Sequence, residues 1–337
     1  MKWDRWPRER LLDLRIRDLG LRLDGTWVES CIADLYSELG KRGITLRPHC
    51  WLSDEWFSPT NVPGIGIPFY LVHPRLIRLE RSIMMEAEGV SRAECMRILR
   101  HEAGHAMQHG FRLHRRAAWR RMFGKSSTPY PLSYRPRPAS RHFVQHLRAY
   151  YSQAHPDEDF AETFAVWMQP RARWERRYEG WPALKKLEYI DELMAGIGDA
   201  KQVLRSRARL EPLSRINTTL ADHYAKKRSH YSVQYPDTYD RDLIRLFSLP
   251  PGSRRSPTAG SFLRTNRRWI RRMVSRWTGE YELTLDMVLT EMMGRCRELK
   301  LRAVGPPRQL RMDFAVLLTV QSMHALCSRS RRASFAL

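Results

Sequence analysis

The chain has 337 residues, of which 42% are hydrophobic, which is enough for one or two folded domains. Lys and Arg outnumber Asp and Glu by 59 to 36, so the formal net charge is +23. No apolar run approaches the roughly 18 residues that cross a bilayer, and the first residues lack an apolar signal-peptide core. Together with five widely spaced cysteines and no Cys-x-x-Cys pair, this favours a cytoplasmic protein with reduced thiols.

The first predicted elements are a helix and two strands. Thr26 with Glu29 forms a capping box, and apolar residues at helical spacing continue from there to Gly40. The segments 44–52 and 65–72 have strand character, and Pro68 inside the second predicts an edge strand. A peptide substrate could add to such an edge as a further strand.

The next predicted helix carries the sequence His101-Glu102-Ala103-Gly104-His105. It is expected to begin after Ser91, which forms a capping box with Glu94, and to end near Gly110. Two histidines four residues apart lie on one helix face, about one turn from each other, so both rings can reach one Zn²⁺. The glutamate between them then lies beside the metal and can act on a bound water. The small Ala103 and Gly104 allow another backbone to approach closely.

A third metal ligand must come from elsewhere in the chain. The metzincin pattern is excluded, because its glycine and histidine positions hold Gln108 and Phe111. The alternative is a carboxylate on a second helix, predicted to begin at Pro156 with acidic residues in its first turn. Glu158 and Glu162 are four residues apart and share a face of that helix. One can bind the metal while the other accepts a hydrogen bond from a ligating imidazole.

The sequence HEAGH at 101–105, followed by EDFAETFA at 158–165, resembles the gluzincins, zinc metallopeptidases whose third ligand is a glutamate. Within that class it is most similar to the lethal-factor-like enzymes, which carry an E-x-x-A-E ligand helix. The resemblance implies that His101 and His105 bind the metal and that Glu102 is the general base. It implies that Glu158 is the third ligand and that Glu162 is its supporting partner. Weaker rivals for the third ligand are Asp157 and Asp159.

In lethal-factor-like enzymes a tyrosine seven residues before the glutamate ligand assists catalysis, and Tyr151 occupies that position here. Its expected role is to help the metal stabilise the oxyanion that forms on the scissile carbonyl. The alternatives for this role are Tyr150, Tyr134 and His155. The loop 123–141, rich in Pro, Ser and Arg, is expected to cross near the cleft and to contact substrate.

The rest of the chain predicts a second, basic domain. A Pro- and Ser-rich linker is expected at 248–261, which separates a metallopeptidase domain at 1–247 from a helical domain at 262–337. The first helix of that domain has an apolar face at Ile270, Met273 and Val274, surrounded by arginines. Such charge would attract an acidic partner or nucleic acid, although no dedicated nucleic-acid motif is present.

These patterns predict a mostly helical α+β chain, with a zincin-like catalytic core, a small edge sheet and a C-terminal helical extension. The expected function is a zinc-dependent metallopeptidase that cleaves a peptide or protein substrate. Two alternatives stay open: a nucleic-acid-associated basic protein with an auxiliary zinc site, and a zinc hydrolase that acts on another amide.

Overall fold

A computed structural model describes residues 2–131, 134, 136–197, 200–231, 239–247 and 256–329. The helices are α1 (Arg8–Leu12), α2 (Trp27–Lys41), α3 (Pro74–Met84), α4 (Arg92–Gly110), α5 (Ala117–Phe123), α6 (Pro156–Met168), α7 (Trp174–Arg177), α8 (Ala183–Ile197), α9 (Leu220–Tyr231), α10 (Asp240–Leu246), α11 (Ala259–Thr278), α12 (Glu282–Glu298) and α13 (Pro307–Arg329). The strands are β1 (His49–Ser53) and β2 (Gly64–Pro68). The expectation of a mostly helical chain with a small sheet is confirmed.

The chain divides into two compact units. Of the described residues, the first unit comprises 2–83 and 87–224, and the second comprises 84–86 and those from 225 to 329. Of the linker expected at 248–261, residues 248–255 lie outside the described part of the chain. The domain bounds 1–247 and 262–337 stay predictions.

The sheet of the first unit is short and enclosed. β1 and β2 run parallel, with His49 opposite Gly64 and Ser53 opposite Pro68. β2 ends at Pro68 because the next four residues turn into a 3-10 helix. On the other side of β2, the Gly66 N–H donates to the Phe57 carbonyl at 2.8 Å. At Gly66, therefore, β2 is not the free edge that its proline predicts, and all five of its residues are buried.

Helix α4 begins and ends where its sequence predicts. The Ser91 hydroxyl accepts a hydrogen bond from the Glu94 N–H, and Gly110 is the last helical residue. Every residue from His101 to Gly110 is buried, so this half of α4 passes through the interior of the first unit. Polar side chains in such a place need partners, because an unpaired buried polar group costs about 1–3 kcal/mol.

Helix α6 begins at Pro156, as expected from its proline and its acidic first turn. The His155 Nδ1 accepts a hydrogen bond from the Asp157 N–H at 3.1 Å and so caps the helix. The Phe160 ring packs edge-on against Phe123 of α5, with centroids 5.4 Å apart. This packing fixes the rotation of α6 about its axis and thereby the direction in which its glutamates point.

The second unit has its own apolar core, formed between α10, α11, α12 and α13. Its fully buried members include Leu243, Leu263, Ile270, Leu289 and Phe314.

In the part of the chain that the structure describes, no helix has the length and apolarity needed to cross a membrane. Free thiols are found at Cys31, Cys50, Cys95 and Cys296.

Candidate metal centre

The candidate centre forms where α4 and α6 cross at Gly104. A Cβ atom added to Gly104 would lie 2.8 Å from the Ala161 Cα and 3.1 Å from the Ala161 carbonyl oxygen. A side chain at position 104 would therefore force the two backbones apart, since non-bonded carbon atoms prefer separations near 3.5–4.0 Å. The small residue in the middle of the motif is what lets the ligand faces of the two helices meet.

Three side-chain atoms converge at this crossing. The His101 Nε2 lies 3.1 Å from the His105 Nε2 and 3.1 Å from the Glu158 Oε2, and the His105 Nε2 lies 3.2 Å from the same oxygen. A tetrahedral zinc ion with ligand distances of about 2.0–2.1 Å separates its ligands by about 3.3 Å. The observed triangle has nearly that edge length, so these three residues could hold a metal ion.

The electrostatics of the triangle also suit a divalent cation. Burial raises the pKa of the Glu158 carboxyl, but the imidazoles of His105 and His101 outweigh burial and lower it overall. Burial lowers the pKa of His101, but its hydrogen bonds to Glu158 and Glu162 outweigh burial and raise it well above its usual value. A charged carboxylate is thus held against two imidazoles in the interior. Zinc accepts this donor set and would displace the proton that the rings otherwise hold.

Glu162 supports the first histidine from behind. Its Oε1 lies 2.9 Å from the His101 Nδ1, the ring nitrogen that points away from the triangle. Its Oε2 accepts a hydrogen bond from the Leu147 N–H at 2.8 Å. The carboxylate is fully buried, so its position is set by these two contacts. Such a partner fixes both the orientation and the tautomer of an imidazole whose other nitrogen binds a metal.

Glu102 lies beside the two histidines with one oxygen unused. It is only 6% exposed, and its Oε2 has no hydrogen-bond partner among the described residues. Burial raises the pKa of its carboxyl, and the nearby His101 and His105 oppose that rise. A buried carboxylate with a free oxygen and an elevated pKa has the properties of a general base.

Tyr151 lies next to the first histidine. The ring centroids of Tyr151 and His101 are 5.6 Å apart, with the ring planes tilted by 49°. Burial, together with the charges of Glu158 and Glu102, raises the pKa of the Tyr151 phenol well above its usual value. The phenol therefore keeps its proton at neutral pH and can donate a hydrogen bond.

Sequence reasoning missed Tyr130, which contacts the candidate ligand directly. Its hydroxyl donates to the Glu158 Oε1 at 3.0 Å, and its ring stacks on His155 with centroids 3.8 Å apart. The loop that carries it was expected to approach the cleft, but no spacing in the sequence distinguishes Tyr130 from Tyr134. The phenol occupies one oxygen of Glu158 and leaves the other, Oε2, facing the histidines.

The weaker candidates have partners elsewhere. The Asp159 carboxylate lies 2.6 Å from the Lys186 ammonium, and Asp157 accepts a hydrogen bond from Ser126 at 3.0 Å. Both ring nitrogens of His155 are used, by the Asp157 N–H and by the Thr128 carbonyl. None of these three belongs to the triangle. Tyr150, another alternative, has a positive φ of 56° and lies in the 3-10 helix Arg148–Gln153 that precedes α6.

One comparison with known proteins bears on this centre. Residues 92–180 match the family model described as "Putative zinc-binding metallo-peptidase". The match covers about a quarter of the chain and includes α4, α6 and the loop between them. No curated protein matches the chain significantly. No solved structure matches it either. The segment that builds the centre is therefore similar to that family.

Proposed function

We propose that the chain is a zinc-dependent metallopeptidase of the gluzincin type with a zincin-like core. The observation that carries the proposal is the triangle formed by His101 Nε2, His105 Nε2 and Glu158 Oε2, with edges of 3.1–3.2 Å. The similarity of residues 92–180 to zinc-binding metallopeptidases supports it. The cytoplasmic location stays a prediction.

In this proposal His101, His105 and Glu158 hold the ion. When bound, zinc supplies Lewis acidity, which lowers the pKa of a water molecule and polarises a substrate carbonyl. Because the Tyr130 hydroxyl donates to the Glu158 Oε1, the carboxylate would offer its other oxygen, Oε2, to the ion.

Glu102 performs the proton transfer. Its free Oε2 takes the proton of the attacking water and later delivers it to the leaving amine. Burial matches this role, because a base that works near neutral pH needs a pKa above that of an exposed carboxylate. Glu162 keeps the His101 ring in place throughout the reaction.

Tyr151 is the proposed donor to the oxyanion. It lies beside His101 and remains protonated, and a phenol with these properties can stabilise negative charge on the former carbonyl oxygen. Removal of one such donor typically costs about 2.7–4 kcal/mol in the transition state.

The experiment compares wild type with Glu102→Gln and with Glu188→Gln, which changes an exposed glutamate of α8. Zinc per chain is measured by mass spectrometry, and cleaved termini are identified in a peptide library derived from a proteome. We expect about one zinc in all three proteins and cleavage by wild type and Glu188→Gln alone. Cleavage that survives in Glu102→Gln would remove Glu102 from the mechanism.

A further inference from the structure

Helix α11 of the second unit separates its arginines into two sets. The helix contains no acidic residue along its 20 positions. Arg267 and Arg271 point toward α12, where Arg267 pairs with Asp286 and Arg271 donates to Glu282 at 2.7 Å and to Asp286 at 2.9 Å. These two arginines are therefore neutralised within the unit and hold α11 against α12.

Four other arginines of α11 form an outer row: Arg264, Arg268, Arg272 and Arg276. All four are exposed, and none forms an ion pair or hydrogen bond with a described residue. They are spaced by four residues, so each lies about 6 Å along the helix axis from the next, within an arc of about 120°. The row is thus about 18 Å long and has no neighbouring carboxylate on its own helix.

The opposite side of α11 is fixed in the core. Phe262, Leu263, Ile270 and Val274 are buried against the other helices of the unit. The helix therefore cannot turn its apolar face into a lipid bilayer, as a membrane-surface helix does. The arginine row is the charged part of α11 that stays available to a partner, so a partner that binds the row must be recognised by charge.

We propose that this outer arginine row binds the phosphate backbone of nucleic acid without sequence preference. Guanidinium groups bind phosphate oxygens in a bidentate manner, and a regular row on a rigid helix suits a polymer with regularly spaced negative charges. This surface belongs to the second unit and the candidate metal centre to the first, and binding here does not depend on the proposed peptidase activity.

The test uses the full chain and a fluorescein-labelled DNA duplex of 20 base pairs, with affinity measured by anisotropy at several salt concentrations. The double variant Arg268→Gln/Arg272→Gln removes two charges from the row. The control Arg205→Gln/Arg209→Gln removes two exposed arginines of the first unit and leaves the same net charge. We expect the slope of log K against log salt to decrease by about 1.8 in the first variant and to stay unchanged in the control.

Three results would overturn the proposal. These are no binding of the duplex by wild type, an equal loss in both double variants, and retention on phosphatidylserine vesicles without duplex binding. The vesicle measurement tests the rival proposal that the second unit binds an anionic lipid surface. The exposed Trp277 and an exposed apolar stripe on α13 would favour that rival. The stripe consists of Met312, Val316, Val320 and Met323.

Discussion

At the scale of single residues, the acidic residues of α6 look alike in the sequence but contact different partners in the structure. Four acidic side chains lie between positions 157 and 162, and all are buried. Glu158 faces the histidines, Glu162 lies behind one of them, and the two aspartates bind Lys186 and Ser126. The helical period puts the two glutamates on one face, because they are four residues apart, and turns the two aspartates, which adjoin Glu158, in other directions.

Replacement of Glu162 by Gln should weaken zinc binding by about 10–100-fold, because the charged acceptor that orients the His101 ring is lost. Competition with a chromophoric chelator measures the affinity. Glu188→Gln serves as the control, since it makes the same chemical change on the surface of α8. An unaltered affinity in Glu162→Gln would show that this contact does not position the ligand.

The two tyrosines should give different defects when each is changed to Phe. Tyr151→Phe removes the proposed oxyanion donor, so kcat should fall about 100–1,000-fold with zinc affinity unchanged. Tyr130→Phe removes the hydrogen bond to the Glu158 Oε1, so zinc affinity should fall by about tenfold or more. Kinetics measures kcat and chelator competition measures zinc affinity in both variants. A loss of zinc affinity in Tyr151→Phe and of kcat alone in Tyr130→Phe would contradict these two assignments.

At the scale of elements, the close crossing of α4 and α6 depends on Gly104. Gly104→Ala should destabilise the protein by about 1–3 kcal/mol, since the new methyl group meets the Ala161 backbone. It should also weaken zinc binding, because the ligand faces move apart. Gly196→Ala on α8 is the matched control: apart from its chain neighbours and the backbone of its own helix, no atom lies within 4 Å of its added Cβ.

For the control we expect equal or greater stability, by up to about 1 kcal/mol, because alanine favours a helix over glycine. Urea unfolding followed by circular dichroism measures both variants. If Gly104→Ala were as stable as wild type and bound zinc equally well, the helix crossing would not be the feature that holds the centre together.

The helices were predictable from local signals, and the strands were less so. Ser91 and Thr26 cap their helices with their hydroxyls, as the sequence pattern indicates, because N-cap chemistry depends only on the next few residues. β2 is shorter than its apolar run predicts, because the run continues into a 3-10 helix, which burial alone does not distinguish. Tyr130 could not be identified, since its contact with Glu158 spans 28 residues and depends on the path of a loop.

At the scale of the whole molecule, the two units carry different chemistry. The buried histidines and glutamates belong to the first unit, and the outer arginine row belongs to the second. The net charge of +23 made an anionic partner plausible from composition alone. Composition could not indicate which arginines are paired, because Arg267 and Arg268 are neighbours in sequence. Only Arg267 has a carboxylate partner among the described residues.

The central claim is that one divalent ion binds where α4 and α6 meet. The most direct measurement is zinc bound per chain after chelation and dialysis against buffered zinc, in wild type, Glu158→Gln and Glu188→Gln. We expect one zinc per chain in wild type and in Glu188→Gln. In a folded Glu158→Gln we expect zinc affinity to be at least 100-fold weaker. That factor is about the upper end of the loss seen when a residue that supports a metal ligand is changed. Zinc binding of equal affinity in Glu158→Gln, or its absence in wild type, would contradict the central claim.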